Sequence, residues 1–500
     1  MGIGRKINEE CAVFGVSLTT DDAAGFTYNG LLALQHRGQE GAGIAVVSDQ
    51  NITCVKDVGL VSEVFSSGVL DKIPKGKVAV GHARYSTTGH NTKENVGPFF
   101  TEYLTGRIAT AHNGNITNAR EIRKKLSKDG VMFNATSDSE VISALMAFNI
   151  RREKNALRGI IKAADTLRGS FSLVIASSKN KLVAVRDPNG FRPLCIGKNA
   201  SGYAVASESC ALEVCGFDFV RDVQPGEVVT IKNGVITYQT VSLHHKEEGR
   251  GLCIFEYVYF SRPDSVVDGL SIYEARYNMG AILAQEYPVD ADVVCGVPDS
   301  GLVAANGYSA SSGIPLAFGF VKNRYIGRSF IYPTQIQRDS AVRQKLNPLT
   351  ANVRGKKVVL VDDSVVRGTT CERLVRSLRN AGAAEVHMRI SSPPFRHTCH
   401  YGTDIGSERN LIANKMSVDE IRQKFGADSL GYISMEGLKK ACEKCSLPFC
   451  DACFSGDRVA AHTEKNILEN DEEAPMDTEK NISEPDKAVA THVDLFDGEP

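Results

Sequence analysis

Two adjacent carboxylates, Asp362 and Asp363, end an apolar β-branched run at positions 358–361 and are followed at once by Ser364, Val365, Val366, Arg367, Gly368, Thr369 and Thr370. Such an acidic pair can take sugar hydroxyls or a divalent cation. The small and hydroxyl residues behind it offer backbone N–H groups and hydroxyl donors where a helical pattern starts, near Cys371. There the helix dipole favours phosphate. The combination is a recipe for holding a sugar phosphate. A solvated acidic turn is the plainer alternative, and the succession of Ser, Gly, Thr and Thr weighs against it. A Walker A loop is excluded, because no Gly-Lys-Ser/Thr ending is present. Two further groups can do chemistry. One is Cys11, a thiol with Arg84, Asn113, Gly114 and Asp138 in polar motifs downstream. The other is the C-x-x-C of Cys450 and Cys453, with Cys253 and Cys399 elsewhere. By spacing alone the C-x-x-C fits zinc, redox or cluster chemistry. A second pair, Cys442 and Cys445, lies just before it, so a zinc ribbon using all four competes.

The elements that must position these groups are legible in outline. The run 358–361 reads as a strand buried on both faces, leading through the acidic turn into a helix. Residues 291–301, Ala-Asp-Val-Val-Cys-Gly-Val-Pro-Asp-Ser-Gly, repeat the arrangement, with a Pro-Asp-Ser-Gly turn leading to a helix at Leu302. Between them, residues 323–345 are basic, interrupted by Gly327 and Pro333 and poorly periodic. They suit a mobile lid over a polyanion, with a solvated loop as the alternative. Residues 255–440 alternate strands and helices in the βαβ manner of a parallel sheet. The preceding half mixes strands, at 78–81, 171–176, 181–185 and 227–231, with helical stretches such as 139–148, the pattern of a layered α+β domain. A polar, Gly-punctuated stretch at 244–251 reads as the junction. From Ser455 to Pro500, 13 acidic residues face 4 basic ones, with few large apolar groups. That segment is expected to be disordered.

Bulk properties set the frame. Five hundred residues suit two or three domains. The net charge of −1 points to neither nucleic acid nor an anionic membrane. No run reaches the ~18–20 apolar residues of a membrane span, and the first ten residues hold no apolar signal core. Thirteen cysteines in such a chain argue for thiols, catalysis or metal rather than disulfides. A cytoplasmic location is the expectation.

The segment 357–370 resembles the phosphoribosyl pyrophosphate (PRPP) signature of the type I phosphoribosyltransferases, and the turn at 298–301 resembles their pyrophosphate-binding turn. In the first half, Cys11, Leu34-Gln-His-Arg-Gly-Gln-Glu-Gly-Ala-Gly43, Gly81-His-Ala-Arg-Tyr-Ser-Thr-Thr-Gly89, His112-Asn-Gly-Asn-Ile-Thr-Asn118 and Thr136-Ser-Asp-Ser-Glu140 resemble the glutaminase domain of the N-terminal-nucleophile amidotransferases. Together, the halves resemble the glutamine phosphoribosylpyrophosphate amidotransferases, in the subgroup that carries a [4Fe–4S] cluster.

The resemblance implies a propeptide at 1–10, removed by self-cleavage to leave Cys11 first. It implies a layered α/β/β/α glutaminase domain at 11–240. A mainly parallel α/β phosphoribosyltransferase domain with the cluster ligands would follow at 241–454, then the tail at 455–500. Cys11 would be the nucleophile with its α-amine as base. Asn113 and the Gly114 N–H would form the oxyanion hole. Arg84 would take the glutamine carboxylate and Asp138 its ammonium. Ammonia would pass internally to PRPP held by residues 362–370, yielding 5-phosphoribosylamine and pyrophosphate. One Mg²⁺ per subunit would lie near Ser300, Asp362 and Asp363. One structural [4Fe–4S] cluster would be held by Cys253, Cys399, Cys450 and Cys453, with Cys442 and Cys445 as bystanders. Tyr259, Arg262 and the basic lid would close the site. Feedback by purine nucleotides and a homo-dimer or tetramer are carried over in the same way. Two alternatives remain. One is a glucosamine-phosphate-forming amidotransferase, against which residues 358–370 argue. The other is a catalytically reduced relative acting as a purine-pathway scaffold or regulator.

Overall fold

The computed structural model describes residues 11–85, 91–103, 105–241, 251–323, 346–403, 405 and 407–457. The leader, nearly all of the junction at 244–251, the basic lid segment from Arg324 to Lys345 and the tail beyond residue 457 lie outside the described residues.

The amino-terminal half is built on two antiparallel sheets laid face to face. The seven-stranded sheet runs, edge to edge, Asp218–Asp222, Cys195–Asn199, Gly202–Ala206, Ala12–Leu18, Val78–Arg84, Gly41–Ser48 and Asn51–Val58. The six-stranded sheet runs Val235–Thr240, Glu227–Lys232, Lys181–Arg186, Gly169–Ser177, Gly106–Ile116 and Phe99–Tyr103. Side chains alternate along each strand, so every strand serves two cores. Val13, Val78 and Val80 meet Ala109, Ala111 and Val174 between the sheets. On the outer face of the first sheet, Ala12, Phe14 and Val16 pack against the helices Ala23–Ala33 and Ser209–Val214. On the outer face of the second, Ile108, Phe171 and Leu173 pack against Ala119–Lys128, Asp138–Glu153 and Ala156–Thr166. The result is the expected α/β/β/α sandwich. Burial on both faces explains why its strands read as apolar runs rather than alternating patterns.

The second half centres on a four-stranded sheet, Val293–Gly296, Lys357–Asp362, Glu385–Ile390 and Ser429–Tyr432, parallel throughout. Val359 and Val361 face the helices Ile272–Glu286, Leu302–Ser312 and Met435–Ala441. Val358 and Leu360 face Thr369–Asn380 and Val418–Phe425 on the other side. The 358–361 run is thus buried on both faces, as its composition predicts. The helix behind the acidic turn begins at Thr369, two positions ahead of the pattern near Cys371. Gly368, at φ +79°, makes the left-handed turn that lets it start there.

Candidate active sites

Cys11 stands at the head of Ala12–Leu18, a central strand whose neighbours place Val13 opposite His82 and Phe14 opposite Ala206. Its thiol donates to the Tyr85 carbonyl at 3.4 Å, and its own carbonyl accepts from Arg37 Nε at 3.3 Å. Arg84 ends the adjacent strand and is buried. Burial pulls its guanidinium below the usual range, against the nearby Cys11, Glu40 and Asp138. All three therefore lie near one arginine. Gly38 allows the approach, because a Cβ there would lie 2.4 Å from the Ala83 carbonyl and 2.8 Å from the Arg84 nitrogen.

Asn113 and Gly114 come from the other sheet, in Gly106–Ile116. The Asn113 side chain is 1% exposed, and among the described residues neither its amide nitrogen nor its oxygen has a partner. A buried amide without partners is costly by about 1–3 kcal/mol and rare unless a ligand completes it. Gly114 lies at φ +144°, and a Cβ would fall 2.2 Å from the Ser170 carbonyl, so only glycine fits. Asp138 opens the helix Asp138–Glu153. Its Oδ2 accepts from the Ile116 N–H at 3.2 Å and its Oδ1 from the Ser139 hydroxyl at 3.4 Å.

Sequence reasoning missed two buried imidazoles that tie these parts together. His82 Nε2 donates to the His112 carbonyl at 3.0 Å, linking the two sheets, and His112 Nδ1 lies 3.1 Å from Ser139 Oγ. Burial, with Arg84 and His112 adding, pulls His82 down to about 3, and burial also lowers His112. Both rings are neutral spacers. Their signal was present in the Gly-His-Ala-Arg and His-Asn-Gly motifs but was read only as part of a pattern.

The second site lies where two neighbouring parallel strands end. Asp362 and Asp363 are each 1% exposed. Asp362 Oδ1 accepts from the Asp363 N–H at 3.0 Å, and Asp363 Oδ2 accepts from the Ser364 hydroxyl at 2.5 Å. The Ser300 hydroxyl donates to the remaining oxygen of Asp363, joining the two turns. Gly301 permits this, since a Cβ would sit 2.4 Å from the Val361 carbonyl. Val365 is buried, Val366 accepts at its carbonyl from the Ile412 N–H at 2.9 Å, and Thr369 and Thr370 form the first turn of the helix. A further residue missed from sequence is Arg276. It is buried, and burial lowers it to about 10, opposed first by Asp363. Its Nη2 donates to the Ser261 carbonyl at 2.7 Å. Arg262, expected to help close the site, pairs with Asp264, donates from its side chain to the Ala33 carbonyl and donates from its backbone N–H to Glu208.

The four cysteines at 253, 399, 450 and 453 are brought together. Leu252–Cys253 pairs in parallel with Phe449–Cys450, placing Cys253 beside Cys450. Burial pushes the Cys453 thiol well up, with Cys253, Cys399 and Cys450 adding to the push. Cys442 responds instead to burial and Cys445, and Cys445 lies beside Tyr257 and Asp268. Among the described residues, no three His, Cys, Asp or Glu side chains close around a single ion.

Residues 82–214 match the glutamine amidotransferase domain, and residues 271–392 the phosphoribosyl transferase domain. The amidophosphoribosyltransferase of Bacillus subtilis is 45% identical over 478 residues, 93% of this chain and 98% of its own length. The chain belongs to the amidophosphoribosyltransferase family. Another member, the chloroplastic amidophosphoribosyltransferase 2 of Arabidopsis thaliana, is 47% identical over 92% of this chain and 81% of its own. A solved family structure, B. subtilis glutamine PRPP amidotransferase complexed with ADP and GMP, superposes with a TM-score of 0.82 at 44% identity. It covers 89% of this chain and 97% of that one. Membership accounts for both halves and for their order along the chain. Among the described residues, no helix is long and apolar enough to cross a membrane.

Proposed function

We propose that this chain is a glutamine-dependent amidophosphoribosyltransferase: it releases ammonia from glutamine and transfers it to C1 of PRPP, giving 5-phosphoribosylamine, pyrophosphate and glutamate. The observation that carries this reading is that one chain holds two sites of complementary chemistry. One is a thiol among a buried arginine, a carboxylate and a buried amide without a partner among the described residues; the other is a buried acidic pair before a helix N-terminus. In the first, Arg84 takes the α-carboxylate of glutamine and Asp138 its ammonium. Cys11 Sγ attacks the side-chain amide. Asn113 and the Gly114 N–H stabilise the resulting oxyanion, a donor set worth a few kcal/mol each. With residues 1–10 removed, the α-amine of Cys11 serves as the base. An active chain whose intact mass retains them would refute that detail.

In the second site, residues 364–370 hold the 5-phosphate, while Asp362 and Asp363 orient the ribose. Arg276 offsets their charge from behind. The donor set of Ser300, Asp362 and Asp363 is all oxygen, which fits Mg²⁺, and the ion would neutralise the pyrophosphate leaving group. The four gathered thiols form an all-sulfur donor set that fits a [4Fe–4S] cluster, larger than the shell of a single ion, and would staple the end of the catalytic region, at Cys450 and Cys453, to Cys253 and Cys399. Iron analysis and absorbance near 400 nm test this. The nucleotides bound to the B. subtilis relative support purine nucleotides as ligands here.

The deciding assay is pyrophosphate release from PRPP with either glutamine or ammonia. Cys11→Ala is expected to abolish the glutamine-driven reaction and to retain the ammonia-driven one. Loss of both together would overturn this division of labour. A reduced relative acting as scaffold would show neither reaction in the unaltered chain.

A further inference from the structure

The strand that carries Asn113 and Gly114 is gripped from outside its own half. Asn115 donates its side-chain amide to the His400 carbonyl at 2.9 Å. Its backbone N–H donates to Ser170 Oγ at 3.0 Å, and that hydroxyl donates to the Tyr401 carbonyl at 2.6 Å. Arg192 Nη2 donates to the same carbonyl at 2.5 Å. The Tyr401 ring stacks on Phe191, with centroids 4.4 Å apart and planes 16° from parallel. Gly402, at φ +109°, comes so near that a Cβ would lie 2.9 Å from Arg192 Nη2 and 3.4 Å from the Gly114 carbonyl carbon.

These contacts converge on one place. Asn115 and Ser170 oppose each other across the strand pair, and Gly114 there has room for no side chain. The turn therefore clamps both strands one residue from Gly114 and two from Asn113. A contact serving only to join the halves could lie anywhere on their shared surface. An oxyanion hole, in contrast, stabilises charge only if its donors are fixed before the charge develops.

We propose that the turn at residues 400–402 is a positioning element for glutamine hydrolysis, fixing Asn113 and Gly114 through Asn115 and Ser170. The inference rests on the glutaminase reading above. It makes glutamine chemistry depend on a segment of the phosphoribosyltransferase half. That segment is tied in turn to the cysteine group, because the Tyr401 N–H donates to Cys399 Sγ at 3.3 Å.

The test uses the full chain with Ser170→Ala and, separately, Asn115→Ala. Losing an oxyanion donor outright lowers kcat by about 10²–10³, so a loosened pair is expected to lower it by about tenfold or more. The KM for glutamine should change by less than about twofold, because ground-state contacts at Arg84 and Asp138 are untouched. Ammonia-driven synthesis and the melting temperature of Asn115→Ala should follow the parent. If kcat stays within twofold in both variants, or if the ammonia-driven reaction falls in step with the glutamine-driven one, the turn is only a docking contact and the inference fails. A parent chain that forms no glutamate would overturn the glutaminase reading and this inference with it.

Discussion

Ala83, the residue before Arg84, pairs antiparallel with Ala12, the residue after Cys11, so the register carries Arg84 to Cys11. Its charge is therefore delivered to the thiol by register rather than by a flexible loop. Buried, with Cys11, Glu40 and Asp138 nearby, it would in the proposed site receive one carboxylate through two parallel N–H groups. A lysine would keep the charge but not the fork. Losing one charge-assisted hydrogen bond costs about 1.5–3 kcal/mol, or roughly a 10- to 150-fold change in affinity. Arg84→Lys is accordingly expected to raise the KM for glutamine by that factor and to leave the ammonia-driven reaction unchanged. Steady-state kinetics with each nitrogen source reads the difference. An equal loss with ammonia would place Arg84 in the second site instead.

At the scale of elements, the proposed PRPP site is a junction of two turns at the ends of adjacent parallel strands, and Gly301 sets how closely they meet. Gly301→Ala puts a methyl group 2.4 Å from the Val361 carbonyl and 3.2 Å from the Asp362 Cα, with backbone on both sides and nothing flexible to yield. Overpacking of this kind costs about 1–3 kcal/mol. The expected result is a melting temperature lowered by a few degrees and a larger rise in the KM for PRPP, because Ser300 no longer reaches Asp363. A KM that tracks the parent while stability falls would show that the Ser300 contact is dispensable.

The same junction shows what sequence reasoning could reach. The run 358–361, the acidic pair and the small-residue turn are local, and local chemistry is written in neighbouring residues. Arg276 and the His82–His112 link are not local. Each depends on a partner from another element, and nothing near it in sequence names that partner. The helix starts at Thr369, ahead of the pattern near Cys371, because Gly368 serves as its left-handed cap. The contacts of Arg262 with Ala33 and Glu208 are long-range in the same way, and its sequence neighbours name neither partner.

At the scale of the molecule, the halves are joined by buried charge. Arg37 donates to Glu208 at 2.7 Å and to both oxygens of Glu256, at 2.9 and 2.8 Å, while Arg192 lies 3.5 Å from Glu256. Burial pushes both carboxyls up, but the surrounding His36, Arg37 and Arg192 outweigh it and hold them below the usual range. Acid therefore attacks the fold in two separate windows. A carboxyl held low in the folded chain contributes stability above its unfolded value of 4.5, and this is lost only as pH falls below that. His82 behaves differently. It is neutral when folded, down to about 3, whereas its unfolded value is 6.5. Between these values the unfolded chain binds a proton that the folded one refuses, so stability is complete above about 6.5 and declines as pH falls toward 3. At about 1.4 kcal/mol per pH unit, His82 alone contributes a loss of about 2 kcal/mol at pH 5, with His112 acting in the same direction. Asp222, whose carboxyl burial raises to about 7, takes up a proton over the same range and acts in the opposite direction. Urea midpoints measured between pH 7 and 5 therefore carry the His82 loss against that gain, and a variant separates the two. His82→Gln keeps an N–H for the His112 carbonyl but cannot take a proton, so its midpoint should fall less, or rise more, than the parent's as pH drops from 7 to 5. Equal slopes in the two proteins would remove His82 as the group that makes the sandwich sensitive to mild acid.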